Sequence, residues 1–494
     1  LYAEFRNETN GLALPGGSSL LGALAHHHIP SITSDQKHDD RELVMRGGPW
    51  TDAERRRILD YCQTDVDCLE PLLERMAGHI RARPAGLGQA LLRGRYMTAA
   101  ARMERAGVPI DTDLLGRVRD GWESIKLDLV GAVDKDYGVY DGTTFKAGLF
   151  AAYLADRGIA WPRLDSGQLQ LDGDTFRDMS KRYPQLGPLK ELRHSLGQLR
   201  LADLAVGPDG RNRVLLSAFR AATGRNQPSN SKFIFGPATW IRGLIKPAEG
   251  HAVAYIDWSA QEVWIAAKLS GDQSLLDSVT SGDPYLAFAK RAGLAPADAT
   301  KASHKAIRDV CKTCLLGANY GMQARSLAYR TGVSDIEAQE ILRRLARAYP
   351  VYTEWAQQVV DAGQLGGRLS TVLGWQLHVG PKARPTSLRN FPMQANGAEM
   401  LRLACCLATE AGIAVCAPVH DALLIEAPAA DIDDAVTVAK SLMACASSVV
   451  LDGLEVGTDA DVIRWPDRYA DPRGAVMWSR VTELLQVSAG RFGR

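Results

Sequence analysis

YIDWSAQEVWIAAKLSGD, residues 255–272, joins two kinds of pattern. The apolar run AVAYI (252–256) stops at Asp257, and residues with helical spacing follow at once. The first part predicts a strand and the second a helix, with Glu262 on the helix's opening turn. A carboxylate at a strand end has an ordinary explanation, because Asp accepts hydrogen bonds from the free N–H groups that open a helix. Whether Asp257 caps that helix or does chemistry depends on what else the chain brings to the same strand.

A second aspartate answers to the same description. VCAPVHDALLIEA (415–427) is two short apolar runs around His420-Asp421, the pattern of a β-hairpin with Asp421 at its turn. Asp is common in turns for its capping side chain. Two strand-edge aspartates in one strand-bearing unit also suggest a shared metal site. Mg²⁺ takes hard oxygen ligands, commonly one or two carboxylates plus substrate phosphates. Two such ions ~4 Å apart serve phosphoryl transfer.

Between these stretches, residues 273–365 are almost purely helical in pattern, and strands are expected again at LSTVLGW (369–375) and at 413–428. A strand-bearing unit is therefore interrupted by a helical insertion of roughly 90 residues. Within it, Arg308, Lys312, Leu316 and Tyr320 recur every four residues. That spacing keeps them on one slowly winding helix face, over ~18 Å. Spacing alone is compatible with a solvated basic face. It also suits a platform on which cations meet phosphates and the Leu–Tyr end meets a flat base or sugar.

The 494 residues exceed one hydrophobic core, and at ~100–200 residues per domain two to four units are expected. The composition is 46% hydrophobic and 23% charged with a mean hydropathy of -0.15, and no run of 18 apolar residues marks a membrane helix. A net charge of +1 does not announce a polyanion partner, so any such site must come from local clustering. KARPTSLR (382–389), beside Gln394, is the segment best placed for phosphate contact, whereas Arg55, Arg56 and Arg57 read as a solvated face. The 8 cysteines are scattered, and Cys311 and Cys314 lack a second pair at zinc spacing. The triplet His26-His27-His28 reads as incidental, since adjacent side chains on a helix or strand cannot all face one ion. With no signal peptide, reduced thiols in a cytoplasmic protein are the expectation. The chain opens LYAEFRNETNG without Met and reads as an internal start.

The amino-terminal third reads as helical. TDAERRRILDYCQTDVDCLEPLLERM (51–76) is one long run opened by a Thr51–Glu54 capping box. ALLRGRYMTAAARMERAG (90–107) is a second, ending on Gly107. Leu189, Leu192, Leu196 and Leu199 mark the apolar face of a third. The tail 463–485 carries Pro-rich turns and a helix and is assigned to packing.

Five segments carry a family resemblance. DWSAQEVWIAAKLSGD resembles the first palm motif of the family A DNA polymerases, DYSQIELRxLAxLSGD, and RDVCKTCLLGANYGM their fingers-helix motif, RxxxKxxxFxxxYG. VHDALLIEAP resembles the last palm motif, VHDExxxE. TGRNQPSNSKFIFG (223–236) is similar to the primer–template motif that begins TGR, and NFPMQANGAEMLRLA (390–404) to NxPxQGxAADxxKLA. The family is that of bacterial DNA polymerase I and related phage replicases, and the motifs stand in its order across about 86–480.

The resemblance implies an α+β fold: a right-hand polymerase of thumb, palm and fingers, preceded by a partial ribonuclease H-like exonuclease domain. The implied divisions are 1–85 for the exonuclease-like part, 86–210 for thumb and connecting helices, 211–272 for the first palm segment, 273–368 for fingers, and 369–494 for the second palm segment and tail. It implies a monomeric DNA-directed DNA polymerase working with dNTPs and primer–template DNA, in a bacterial cell or phage-infected host. Two Mg²⁺ ions, or Mn²⁺ in their place, would be held by Asp257 and Asp421 with the backbone carbonyl of Trp258. Arg308 and Lys312 would bind the triphosphate, with Leu316 in the position of the family's aromatic. Tyr320 and Gly321 would lie near the templating base, and Glu262 would be the steric gate against a ribose 2′-OH. Arg225, Asn230, Gln394 and His420 would touch primer or template.

This sequence departs from the pattern at Leu316, Ala422, Ala260 and Trp264, which motivates a competing reading: a catalytically degenerate polymerase acting as a DNA-binding replisome scaffold. Further upstream, Tyr61 and Asp65 resemble the YxxxD motif of the DEDD 3′–5′ exonucleases. No DxE precedes them, and one carboxylate does not assemble a two-metal site. Proofreading is therefore expected to be absent, and a nuclease-only reading rests on too few ligands.

Overall fold

The computed structural model describes residues 1–164, 166–197, 203–236 and 239–492. Its principal sheet has four antiparallel strands, His251–Trp258, Ala414–Val419, Ala422–Pro428 and Thr458–Arg464. The 251–258 strand lies between the 458–464 and 422–428 strands, and the 414–419 strand closes the far edge. Its near-continuous apolar run suits a central strand with both faces covered. Ala252, Ala254, Ile256 and Trp258 point into one core. Val253 and, in part, Tyr255 point into another. Pro418, which cannot donate to a ladder, sits in the edge strand, where that is tolerated. The 458–464 strand was not foreseen, since TDADVIR offers too few apolar residues to be read as a strand.

The first core is built around the helix Pro385–Glu410, which is buried along most of its length. Pro385 stands at its start, where a missing N–H loses nothing. The helix Ile432–Val450 packs beside it, as does Gln261–Ser270. The second core joins the helix Thr112–Asp134 to the carboxy-terminal helix Ala475–Phe492, which also packs on Thr239–Leu244. Between Gln273 and Gly366 the described elements are all helices, matching the expected insertion. Leu189 and Leu192 are buried and Leu196 partly so, while Leu199 lies outside the described residues.

Two sequence expectations need correction. The 51–76 run is two helices, Asp52–Asp67 and Leu69–Ala82. Pro71 explains the break, because its ring would clash with the carbonyl of Asp67 in a continuous helix. The capping box is present, with Glu54 Oε2 accepting from Thr51 N–H at 2.8 Å. LSTVLGW is not a strand but mostly the turn between Arg368–Ser370 and Gln376–His378. Gly374, at a φ of 76°, makes that reversal with little strain. The histidine triplet is taken up in the last subsection of these Results.

Among the described residues, 1–85 contain helices and no strand. The helix Tyr2–Thr9 is tied to the rest of the chain by polar contacts at distant positions. Asn7 Nδ2 donates to the Gly374 carbonyl at 3.1 Å, and Arg6 donates to the carbonyls of Phe219 and Arg220. Glu4 is buried and accepts from Arg83 and Arg93, the latter at 2.6 Å. Arg93 is itself 1% exposed and also donates to the Leu373 carbonyl at 3.0 Å.

Removing one partner of a buried ion pair strands the other charge, at about 3–5 kcal/mol, whereas replacing both with apolar groups is often neutral. Glu4→Ala should therefore lower the urea unfolding midpoint strongly. The double change Glu4→Met with Arg93→Met should lower it much less.

Candidate active site

Strand register brings acids together at one end of the principal sheet. Asp257 lies opposite Ala422 on one side and opposite Asp459 on the other. Ala422 directly follows Asp421, and Val419 pairs with Ala422, so His420 and Asp421 form a two-residue hairpin turn. His420 has a φ of 55°. Two-residue hairpins need such a residue, and a non-glycine there is strained by about 1–3 kcal/mol. The Trp258 N–H donates to the Asp421 carbonyl at 3.2 Å, locking the turn to the central strand.

Asp257 does not cap the helix that follows. That helix starts after Ala260, whose φ is 57°, with no side-chain cap. Ser259 turns away, its hydroxyl donating to Asp459 Oδ2 at 2.8 Å. Burial, then Asp421, Asp459 and Asp461, push the Asp257 carboxyl up to about 6. Asp421 is raised too, by burial. Asp257 and Asp421 are half-buried with Asp459 exposed beside them, and a divalent cation stabilises like charges on hard oxygen donors, so the donor set fits Mg²⁺ or Mn²⁺. Sequence reasoning missed Asp459, which lies two residues before Asp461 on the unforeseen strand.

The helix Lys305–Asn319 carries Arg308, Lys312 and Leu316, with Tyr320 as its C-cap. Gly321, at a φ of 67°, follows in a Schellman arrangement: Met322 N–H donates to Gly317 and Gly321 N–H to Ala318. The glycine of this motif thus has a backbone reason. Leu316 is partly buried against the first core. Arg308 Nε donates to Asp283 Oδ2 at 2.5 Å, and both Arg308 and Lys312 lie over the Tyr285 ring. Asp283, also missed in the sequence, caps the helix Pro284–Arg291 and so fixes the guanidinium. Cys311 and Cys314 are buried, their thiols pushed up to about 12 by burial, which makes them poor metal ligands.

Tyr320 closes the space between helices. Its hydroxyl donates to Glu262 Oε1 at 3.0 Å and accepts from Gln394 Nε2 at 2.8 Å. Arg225 Nη2 stands 3.7 Å from the same Glu262 oxygen. Burial raises the Glu262 carboxyl, against the pull of Tyr320 and Arg225. Four residues from four separate segments therefore meet at one point. Arg225, Asn230 and His420 also line a cavity of about 180 Å³ with Tyr96 and Arg402. Gly224, at a φ of 73°, lets the chain pass close to Trp375, where a Cβ would sit 3.0 Å from the ring. Its carbonyl accepts from Arg402 at 2.6 Å, which aims Arg225 at the site. Tyr61 and Asp65 lie apart from all this and share Lys37, whose ammonium is 2.7 Å from Asp65 and over the Tyr61 ring.

Comparisons with known proteins bear on the family and the fold. Residues 228–462 match the family DNA polymerase family A. The chain is 26% identical to DNA polymerase I of Chloroflexus aurantiacus over 464 residues, which is 85% of this chain and 48% of that protein. It is 27% identical to the thermostable DNA polymerase I of Thermus caldophilus, covering 91% of this chain and 55% of that protein. With the DNA polymerase of Mycobacterium phage D29 the identity is 26%, over 60% of this chain and 50% of that protein. The chain thus spans about half the length of these curated relatives. The fold is similar, with a TM-score of 0.69 and 21% identity, to the POL domain of Pol1 from M. smegmatis solved with DNA primer-template and dNTP, over 90% of this chain and 80% of that one.

The raised Asp257 carboxyl has a consequence for stability. Between its ordinary value of 3.8 and about 6, the native state holds a proton that the unfolded chain has lost. Stability of the chelated protein therefore falls as pH rises through that window and levels above it. Thermal melts in chelator should show Asp257→Asn more stable than wild type at pH 7, at about 2–4 °C per kcal/mol, and equal to it near pH 4. Added Mg²⁺ should raise the wild type and leave the variant unmoved.

Proposed function

We propose, from the match of residues 228–462 to DNA polymerase family A, that the chain performs template-directed DNA synthesis, adding dNTPs to a primer 3′-hydroxyl. The observation that carries this reading is the convergence of Asp257, Asp421 and Asp459 at one sheet end, with Glu262, Tyr320, Gln394 and Arg225 meeting beside them. The reaction joins the primer 3′-oxygen to the α-phosphorus of the nucleotide and breaks its bond to pyrophosphate. Asp257 and Asp421, with the Trp258 carbonyl, would hold two Mg²⁺ ions, or Mn²⁺ in their place, which would supply Lewis-acid stabilisation of the oxygens that gain charge.

The protein's own groups do the rest by positioning and electrostatics. Asp459, opposite Asp257, adds negative charge to the cation site. Lys312 is exposed and free to meet a triphosphate, while Arg308 exchanges its Asp283 contact for a phosphate oxygen. That exchange favours the doubly charged ligand, since guanidinium–phosphate contacts are bidentate and strong. Tyr320 leaves its hydrogen bond to Glu262 when a base pair enters, and Glu262 then stands against a ribose 2′-OH. Arg225, Asn230, Gln394 and His420 contact primer or template, and phosphate contacts of this kind weaken with salt.

Residues 1–85 are the carboxy-terminal part of an exonuclease-like domain in this reading, 86–210 thumb and 273–368 fingers. Asp65 is engaged by Lys37, and we expect no proofreading from this chain. The protein works as a monomer in the cytoplasm of a bacterial or phage-infected cell. Among the described residues, no helix is long and apolar enough to cross a membrane.

The deciding experiment is extension of a labelled primer–template with Mg²⁺ and dNTPs. Wild type should extend and Asp421→Ala should not, whereas duplex binding without extension in both would favour the scaffold. Glu262→Ala should admit NTPs, relaxing sugar discrimination by about 10²-fold in kcat/KM.

A further inference from the structure

Two histidines of the triplet that reads as incidental in the sequence are drawn together with Glu8 and another histidine in space. The helix Leu20–His26 ends at His26, His27 is its C-cap at φ −92° and ψ 8°, and His28 turns to a φ of 56°. At a helix end, adjacent side chains are released from the 100° helical step, and the periodicity argument no longer separates them. His26 Nε2 lies 3.9 Å from Glu8 Oε1 and His27 Nε2 3.9 Å from Glu8 Oε2. His79 Nε2, from the helix Leu69–Ala82, lies 3.5 Å from Glu8 Oε1. Donor atoms of Glu8, His26 and His27 all fall within 4.8 Å of one another.

Packing explains part of this. The His26 and His27 rings cross at 84° and both rest against Phe5. It does not explain the His27 nitrogen. That side chain is only 9% exposed, and its Nε2 is buried with no hydrogen-bond partner. A buried polar atom left so costs about 1–3 kcal/mol. The separations of 3.5–3.9 Å exceed hydrogen-bond lengths. They lie close to the ~3.3 Å between ligands of a tetrahedral ion with bonds of ~2.0–2.1 Å. The carboxylate is also held in place: the Glu8 carbonyl accepts from His378 Nε2 at 2.7 Å, and Asn7 and Asn10 fix the same turn to residues 374–376.

We propose that Glu8, His26 and His27 bind one divalent late-transition-metal ion of the Zn²⁺ class, with the exposed His79, which stands outside that 4.8 Å group, completing the set by a side-chain rotation. Three imidazoles and one carboxylate are a borderline donor set that selects such ions over Mg²⁺. The ion staples the 2–9, 20–26 and 69–82 helices to one another, and through Glu8 to the 376–378 strand. It is distinct from the aspartate cluster in both place and chemistry.

The test uses the full chain, stripped with chelator and titrated with Zn²⁺ against a competing chromophoric chelator. One equivalent should bind, with affinity falling at least about tenfold in both His26→Gln and His27→Gln and unchanged in Asp257→Asn. His26 is one-third exposed, so its variant keeps the fold. Co²⁺ in place of Zn²⁺ should give visible d–d bands without a thiolate charge-transfer band. Absence of a bound ion, an unchanged affinity in His26→Gln, or a thiolate band pointing to the cysteines would each overturn the proposal.

Discussion

Charge of one sign, gathered at the end of a sheet and half withdrawn from water at Asp257 and Asp421, is the constraint on which the rest of the structure turns. Asp257 faces Asp459 across one strand gap and the Asp421 turn across the other. Left alone these carboxylates repel, and the Asp257 proton is held to about 6. Strand register enforces the arrangement, because a slip of one residue would send Asp257 into the first core and Trp258 toward the site. The chain accepts left-handed backbone at His420 and Ala260 on either side of the cluster, as strained positions gather where geometry serves a site.

A second buried set of charges holds the approach to that site. Glu399 pairs with Arg402 at 2.8 Å, both almost fully buried, and Arg402 reaches the Gly224 carbonyl. Trp375 lies under Arg402 and Arg93 and stacks on Phe219, and its indole N–H donates to Ala222. Arg93 leads on to Glu4 in the first helix. The amino-terminal helix, the turn before Arg225 and the long 385–410 helix are therefore one connected network. Changes far from Arg225 reach it through buried ion pairs, whose broken forms are costly.

Much of this was legible in the residues. The 414–428 hairpin showed as two apolar runs around a two-residue turn, and the 305–319 helix as a four-residue spacing that a solvated basic face would also give. The Thr51 cap was visible because its chemistry is local. What escaped was nonlocal or polar. Asp459 lies on an edge strand where exposed Asp459 and Asp461 alternate with Ala460 and Val462, half-buried on the first core, and two such small apolar residues are a weak signature. Asp283 looks like any helix cap until Arg308 folds onto it. Pro71 was overlooked inside a convincing helical run, although its steric effect is local. His26 and His27 come near Glu8 because the helix ends between them, while His28 stays outside the group.

The central claim is that the aspartate cluster is a divalent-cation site completed by substrate. Mn²⁺ binding followed by electron paramagnetic resonance, with primer–template and a non-hydrolysable dNTP present, tests it most directly. The account predicts bound Mn²⁺ in the wild type and loss of that population in Asp257→Asn, with nucleotide-dependent recovery absent. Equal Mn²⁺ occupancy in wild type and Asp257→Asn would contradict it.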